Sequence, residues 1–291
     1  MKLLLCALAI FALSDAFVQK DLLIPPQSAV ARAFNNRLEE RVLGGTQASI
    51  NEFPYMLAII SSKSTSGEND GFCGGSLISS QYIITAAHCL KQYTVHHAIL
   101  GTLRPLDTAS AGYTKIVISA KKPHEGFTYS LLDNDIALLT LATSAPTGVA
   151  NIRPVLLPRR SFDAVNLVGR SGLLTGWGKI NDDPGTYLSS NLLKVSVPIV
   201  ENTICRGDYG SVYINDKKVC VDTDGGAIGA CHGDSGGPLT YYDTVNKETV
   251  QIGVMNFGSS SGCQSGFRTV YTRVTNYTQW IANNGGPAVR T

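Results

Sequence analysis

The most irregular stretch of the chain, Gly229-Ala230-Cys231-His232-Gly233-Asp234-Ser235-Gly236-Gly237-Pro238-Leu239-Thr240, holds four glycines and a single serine. A serine hydroxyl is a weak nucleophile at neutral pH. It attacks a carbonyl only when a base takes its proton and fixed donors hold the oxyanion that forms. Gly233 and Ser235 can turn their amides toward one point, because glycine permits backbone shapes that other residues resist. Read alone, the same residues also make a glycine-rich hairpin with a surface serine. A candidate base stands in Thr85-Ala86-Ala87-His88-Cys89, directly after the apolar run Tyr82-Ile83-Ile84-Thr85. A candidate carboxylate stands in Asp133-Asn134-Asp135, at the mouth of the run Ile136-Ala137-Leu138-Leu139. Histidine, carboxylate and serine together are the equipment of acyl transfer. His96, His97 and His124 lack such a context and read as structural.

The elements that must position these residues are short. Apolar runs such as Tyr55–Ile60, Tyr82–Thr85, Ile116–Ile118, Ile136–Leu139 and Val250–Val254 are separated by clusters of Gly, Pro, Asn, Asp and Ser, which is the texture of an all-β barrel or sandwich. One segment near the end reads as helical, with Thr275 or Asn276 as its cap, Tyr277, Trp280 and Ile281 on one face, and Asn284-Gly285-Gly286-Pro287 as its stop. With 291 residues, 44% hydrophobic and 16% charged, the chain can bury a large core. A net charge of +2, without a basic stripe interleaved with aromatics, excludes nucleic acid as an expected partner. Met1-Lys2, the apolar run Leu3 to Leu13 and Ser14-Asp15-Ala16 read as a secretory signal cut after Ala16, since the run is far shorter than the ~20 residues of a membrane span. A secreted, extracellular protein without a membrane anchor is the expectation. Of seven cysteines Cys6 leaves with the signal, and the even set Cys73, Cys89, Cys205, Cys220, Cys231 and Cys263 predicts three disulfides whose pairing counting leaves open. Their spacing disfavours zinc. Gly101-Thr102-Leu103-Arg104-Pro105 offers no opening carboxylate for calcium, so neither metal nor cofactor is expected.

His88, Asp135 and Ser235, in that chain order and in those settings, resemble the trypsin and chymotrypsin family of serine proteases from Val42 to about Asn284. The resemblance implies two antiparallel six-stranded β-barrels with a short C-terminal helix. The first barrel would run from Val42 to about Val155, the second from about Leu156 to Thr275, with the site in the cleft between them. It implies that His88 is general base and then acid, Asp135 fixes its tautomer, Ser235 attacks, and the amides of Gly233 and Ser235 form the oxyanion hole. Arg41-Val42-Leu43-Gly44-Gly45 resembles the activation site of such zymogens: residues 17–41 would be a propeptide, and cleavage after Arg41 by a trypsin-like protease would free the Val42 ammonium to pair with Asp234. The pairings implied are Cys73 with Cys89, Cys205 with Cys220, and Cys231 with Cys263.

For the substrate pocket, the family's charge-selecting aspartate corresponds to Gly229, which argues against a preference for Arg or Lys. The resemblance implies that Ala230 and Gly258 leave the pocket open, that Thr269 narrows one wall, that His232 stands at the rim and that Tyr209 supports the pocket; Phe257 follows Asn256, which replaces a serine that in the family donates to the catalytic aspartate. The loop from Cys263 to Thr269 is similar to that of invertebrate chymotrypsin-like and collagenolytic, brachyurin-type proteases. The expectation is cleavage after Leu, Phe, Tyr and Met, with Arg268 exposed. Elastase-like specificity is the alternative, and a catalytically silent binding homologue is a second, for which Arg206-Gly207-Asp208 is an adhesion-type tripeptide. Protein or peptide substrates, protein inhibitors and a monomeric state complete the expected partners. Asn276-Tyr277-Thr278 is a glycosylation sequon at the start of the last helix.

Overall fold

Strands form where the short apolar runs lie, and the side on which each run is buried follows from its pattern. In the computed structural model, which describes residues 43–63, 71–91, 93–107 and 112–291, the first barrel is built from β2 (Met56–Ser62), β3 (Gly71–Leu77), β4 (Tyr82–Thr85), β5 (Val95–Leu100), β6 (Thr114–Pro123) and β7 (Ala137–Leu141), after a two-residue β1 (Thr46–Gln47). They close in the order β2-β3-β4-β7-β6-β5, all pairs antiparallel. Every residue of β2 and β3 is buried, as suits strands covered on both faces. In β6, by contrast, only Ile116 and Ile118 turn inward and their neighbours face water. The signal and propeptide expected at residues 1–41, and Val42, lie outside the described residues.

The second barrel contains β8 (Ser171–Gly176), β9 (Leu193–Val200), β10 (Lys218–Val221), β11 (Pro238–Asp243), β12 (Glu248–Phe257) and β13 (Thr269–Arg273), with β1 added to the edge of β9. The order β9-β10-β13-β12-β11-β8 is closed by the pairing of β8 with β9. Alternation in β9 sends Leu193, Val195, Val197 and Ile199 into the core. The barrels meet through polar contacts as well as apolar ones: Ser76 Oγ donates to Gln251 Oε1 at 2.6 Å, both groups buried. Such a pair fixes the register of two closed barrels better than an apolar contact, because a shifted position would leave both groups unsatisfied.

A helix that the sequence pattern missed, α1 (Asn202–Tyr209), precedes β10, and α2 (Thr278–Asn283) follows a 3-10 turn over Val274–Tyr277 near the C-terminus. Gly207 inside α1 masks its helical signal. The Cys205–Cys220 disulfide ties it to β10. At the C-terminal helix neither Thr275 nor Asn276 caps with its side chain; Tyr277 is the N-cap, while Tyr277 and Ile281 are buried as the pattern requires. Among the described residues no helix is long and apolar enough to cross a membrane.

Candidate active site

His88 rides on a 3-10 turn, Ala87–Leu90, that leaves β4, and the Cys73–Cys89 disulfide pins that turn to β3. Asp135, fully buried, lies just before β7. Its Oδ2 accepts the His88 Nδ1 proton at 2.7 Å and its Oδ1 accepts the His88 backbone N–H at 2.9 Å. An ionised carboxylate only accepts, so this contact places the proton of a neutral imidazole on Nδ1 and leaves Nε2 as the acceptor. Thr272 of β13 donates from Oγ1 to the Asp135 carbonyl at 2.8 Å, anchoring the first barrel's aspartate to the second barrel.

Ser235 arrives from the second barrel on the glycine-rich turn before β11. Its carbonyl accepts the Gly74 N–H of β3 at 2.8 Å. Gly236 has φ 76°, and a Cβ there would stand 2.1 Å from Thr85 Oγ1 and 2.7 Å from the Gly74 carbonyl, so only glycine lets this turn lie against the first barrel. Gly233, at φ 102°, is confined in the same way by Leu188. Inside the turn the N–H groups of Asp234, Gly236 and Gly237 are taken by the carbonyls of Cys231, Met255 and Asp234. The Asp234 carboxylate points inward and is buried, accepting N–H bonds from Gly178 at 2.8 Å and Cys231 at 2.9 Å. Burial pushes its pKa up to about 6 against the pull of those two donors. Leu43 is buried, and its carbonyl accepts the Gly229 N–H at 3.3 Å, so the chain that follows Val42 lies against the start of the loop that leads to Asp234.

His88 and Ser235 open onto one cavity of about 330 Å³. Its walls include Ala230, His232, Asn256, Phe257, Gly258, Thr269 and Tyr209 of the residues singled out from sequence. Gly229 does not line it but sits beneath, where a Cβ would meet Thr223 and Thr269. Leu132, Tyr129, Tyr213, Met255 and Phe267 line the cavity without having been recognised, since their approach depends on loops folding back from distant parts of the chain. None of the described lining residues is an acid, a lysine or an arginine. Tyr209 packs edge-on against Phe257, ring centroids 5.1 Å apart, and its hydroxyl donates to the Arg268 carbonyl. The Cys231–Cys263 disulfide joins the turn that carries Ser235 to the loop after β12.

Two expectations are corrected. Arg268 is half-buried rather than exposed, with its guanidinium 3.4 Å from Asp208 and 3.5 Å from Asp222. Asp208, the acid of the Arg-Gly-Asp tripeptide, also accepts the Arg268 N–H at 3.1 Å from within α1, so the tripeptide is a piece of helix and not a loop tip. Asn256 does not donate to the catalytic-type aspartate: its Nδ2 reaches the Leu132 carbonyl and Thr272 Oγ1, both at 3.1 Å. Asn276 is exposed in the 3-10 turn before α2. The two groups of potential metal-ligand atoms among the described residues, around His88 and around Asp182, each contain disulfide-bonded sulfurs, which are not thiolate ligands.

The family described as Trypsin matches residues 42–281. The chain is 36% identical over 248 residues to Trypsin-1 of Astacus astacus, covering 84% of this chain and 99% of that one, and 34% identical to Brachyurin of Leptuca pugilator with the same coverage. It is 31% identical to a Chymotrypsin of Phaedon cochleariae, covering 97% of each. Among solved structures, HL collagenase superposes with a TM-score of 0.71 at 28% identity, over 84% of this chain and 98% of that one.

Proposed function

The chain belongs to the trypsin family and is a serine endopeptidase acting on protein substrates, and from that premise we propose that it is a secreted zymogen with chymotrypsin-like specificity. The observation that carries the catalytic assignment is the short His88–Asp135 contact facing the cavity that also holds Ser235. His88 Nε2 takes the Ser235 proton as Oγ adds to the scissile carbonyl. The Gly233 and Ser235 amides receive the oxyanion, and Asp135 stabilises the imidazolium through Nδ1. The imidazolium then gives its proton to the departing amine, leaving an acyl-serine. Water, deprotonated by the same histidine, releases the acid and restores the hydroxyl.

Specificity follows from an uncharged, aromatic-walled pocket. A cationic substrate side chain would lose its hydration there without a carboxylate in return, whereas Leu, Phe, Tyr or Met would gain by burial. The name of the Phaedon relative supports this reading. Thr269, buried at one wall, favours somewhat shorter side chains as the second reading. Activation would consist of cleavage after Arg41 by a trypsin-like protease, after which the Val42 ammonium offsets the burial of Asp234 and steadies the oxyanion turn. Export through the Met1–Ala16 signal suits three disulfides, and protein inhibitors would bind across the same cleft.

The test is digestion of denatured casein by protein activated with trypsin, the trypsin then inhibited, with new termini read by mass spectrometry and Ser235→Ala in parallel. Cuts after Leu, Phe, Tyr and Met that disappear in the variant are expected. Cuts that persist in Ser235→Ala would overturn the nucleophile assignment, and cuts confined to Ala, Val or acidic residues would overturn the specificity.

A further inference from the structure

Leu132 holds an unfavourable backbone conformation for a side-chain-bearing residue, φ 49°, and Asn134 follows it at φ 50°. Such turns persist only where their surroundings over-determine them, and they cluster at functional sites. Here the Leu132 carbonyl points between the barrels and accepts two donors from the second one, Asn256 Nδ2 of β12 at 3.1 Å and Lys218 Nζ of β10. Lys218 is only 1% exposed, on a strand whose four residues are all buried, and its ammonium lies 5.9 Å from the centre of the Phe257 ring. A lysine in such a place is destabilising unless its charge is compensated. Methionine or leucine would fill the same volume without that cost.

The charged groups acting on this ammonium are the carboxylates of Asp135 and Asp133 on the turn that follows Leu132, and Lys217, the residue before its strand. Burial pulls Lys218 down to about 8, while the two aspartates hold it up. The same turn sets Leu132 in the cavity wall and, three residues later, Asp135 against His88. We propose that Lys218 is a positioning residue of the catalytic centre: its buried ammonium locks the Leu132 carbonyl, thereby fixing the turn that presents Asp135 to His88. The inference rests on His88 and Ser235 acting as assigned above.

Two substitutions separate the donor to the Leu132 carbonyl from the bulk of the side chain. Lys218→Met fills the site without a donor, and Lys218→Gln keeps an amide donor. Each activated variant is first titrated with a fluorophosphonate that labels the reactive serine, so that kcat refers to competent enzyme. Thermal unfolding and the kinetics of a Phe-containing peptide anilide follow. Lys218→Met is expected to unfold no earlier than wild type and to lose about tenfold in kcat with KM within about twofold. Lys218→Gln is expected to recover most of kcat. A fully titratable Lys218→Met enzyme with wild-type kcat overturns the proposal. Should the methionine variant fail to fold, a folded Lys218→Gln enzyme that loses about tenfold in kcat despite its donor overturns it. Failure of wild type to label is a different result, one that removes the Ser235 assignment and the inference with it.

Discussion

Replacing Gly258 by valine probes the pocket most directly. Gly258 follows the last residue of β12 and borders the cavity of about 330 Å³, and a Cβ built on it finds no heavy atom within 4 Å. The backbone there is not left-handed, so a valine fits without strain and its two methyls occupy the volume that a bound aromatic ring would fill. Burying a Phe side chain is worth about 1.5–3 kcal/mol. Losing between half and all of that in the transition state, at about 1.4 kcal/mol per factor of ten, lowers kcat/KM for Phe and Tyr substrates by roughly 3- to 150-fold. Alanine at the cleavage position does not reach the methyls and keeps its rate, and global stability stays within about 0.5 kcal/mol. The assay is kcat/KM on a matched peptide series with Phe, Leu and Ala at that position, together with thermal unfolding of the activated variant. An unchanged Phe-to-Ala ratio would show that substrates do not enter this cavity and would refute the reasoning. An equal loss on all three substrates would mean that the substitution acts on the catalytic groups, a contradiction of the empty space around Gly258.

Two further expectations follow from buried or clamped acids. In an uncleavable Arg41→Gln chain Asp234 lacks the proposed ammonium. With a folded pKa of about 6 against 3.8 for the free group, the native state binds the proton more tightly, so this carboxylate's contribution is most favourable below pH 4 and is lost as pH rises through 6. The difference of about two pKa units amounts to about 3 kcal/mol. Relative to the Arg41→Gln/Asp234→Asn chain, which does not titrate there, the Asp234 chain should therefore lose stability between pH 4 and 7 in urea unfolding; a constant difference would show that the carboxylate leaves this site before activation. Asp182, although exposed, accepts the N–H groups of Cys263 at 2.8 Å and Gln264 at 2.7 Å and so clamps the loop behind the pocket. Asp182→Ala should raise KM several-fold with little change in kcat or Tm, measured on the same Phe peptide; an unaltered KM would mean that the disulfide Cys231–Cys263 holds the loop alone.

Much of the protein was legible in one dimension because its signals are local. The run Tyr82–Thr85 became β4 with those bounds, and Val250–Val254 lies inside β12. Period-two alternation and turn residues act over a few positions, and a histidine directly after a strand or a serine among glycines keeps its neighbours in any fold. The helix α1 escaped because it is eight residues long and contains Gly207, too short for a periodic face to stand out.

The sequence by itself determined the barrel class, the chemistry that Ser235, His88 and Asp135 are equipped for, and the absence of an acid at Gly229. Tertiary structure alone decided the rest. It carried Lys218 and Asn256 to the carbonyl of Leu132, 86 and 124 residues away, and Arg268 to Asp208, 60 residues away. Nothing near Lys218 in the chain marks it as different from a surface lysine, because its partners are assembled only when two closed barrels pack with a fixed register. A local pattern records which face a residue turns to the core. Which charge or carbonyl it meets there depends on long-range packing, where desolvation makes each polar group's partner matter.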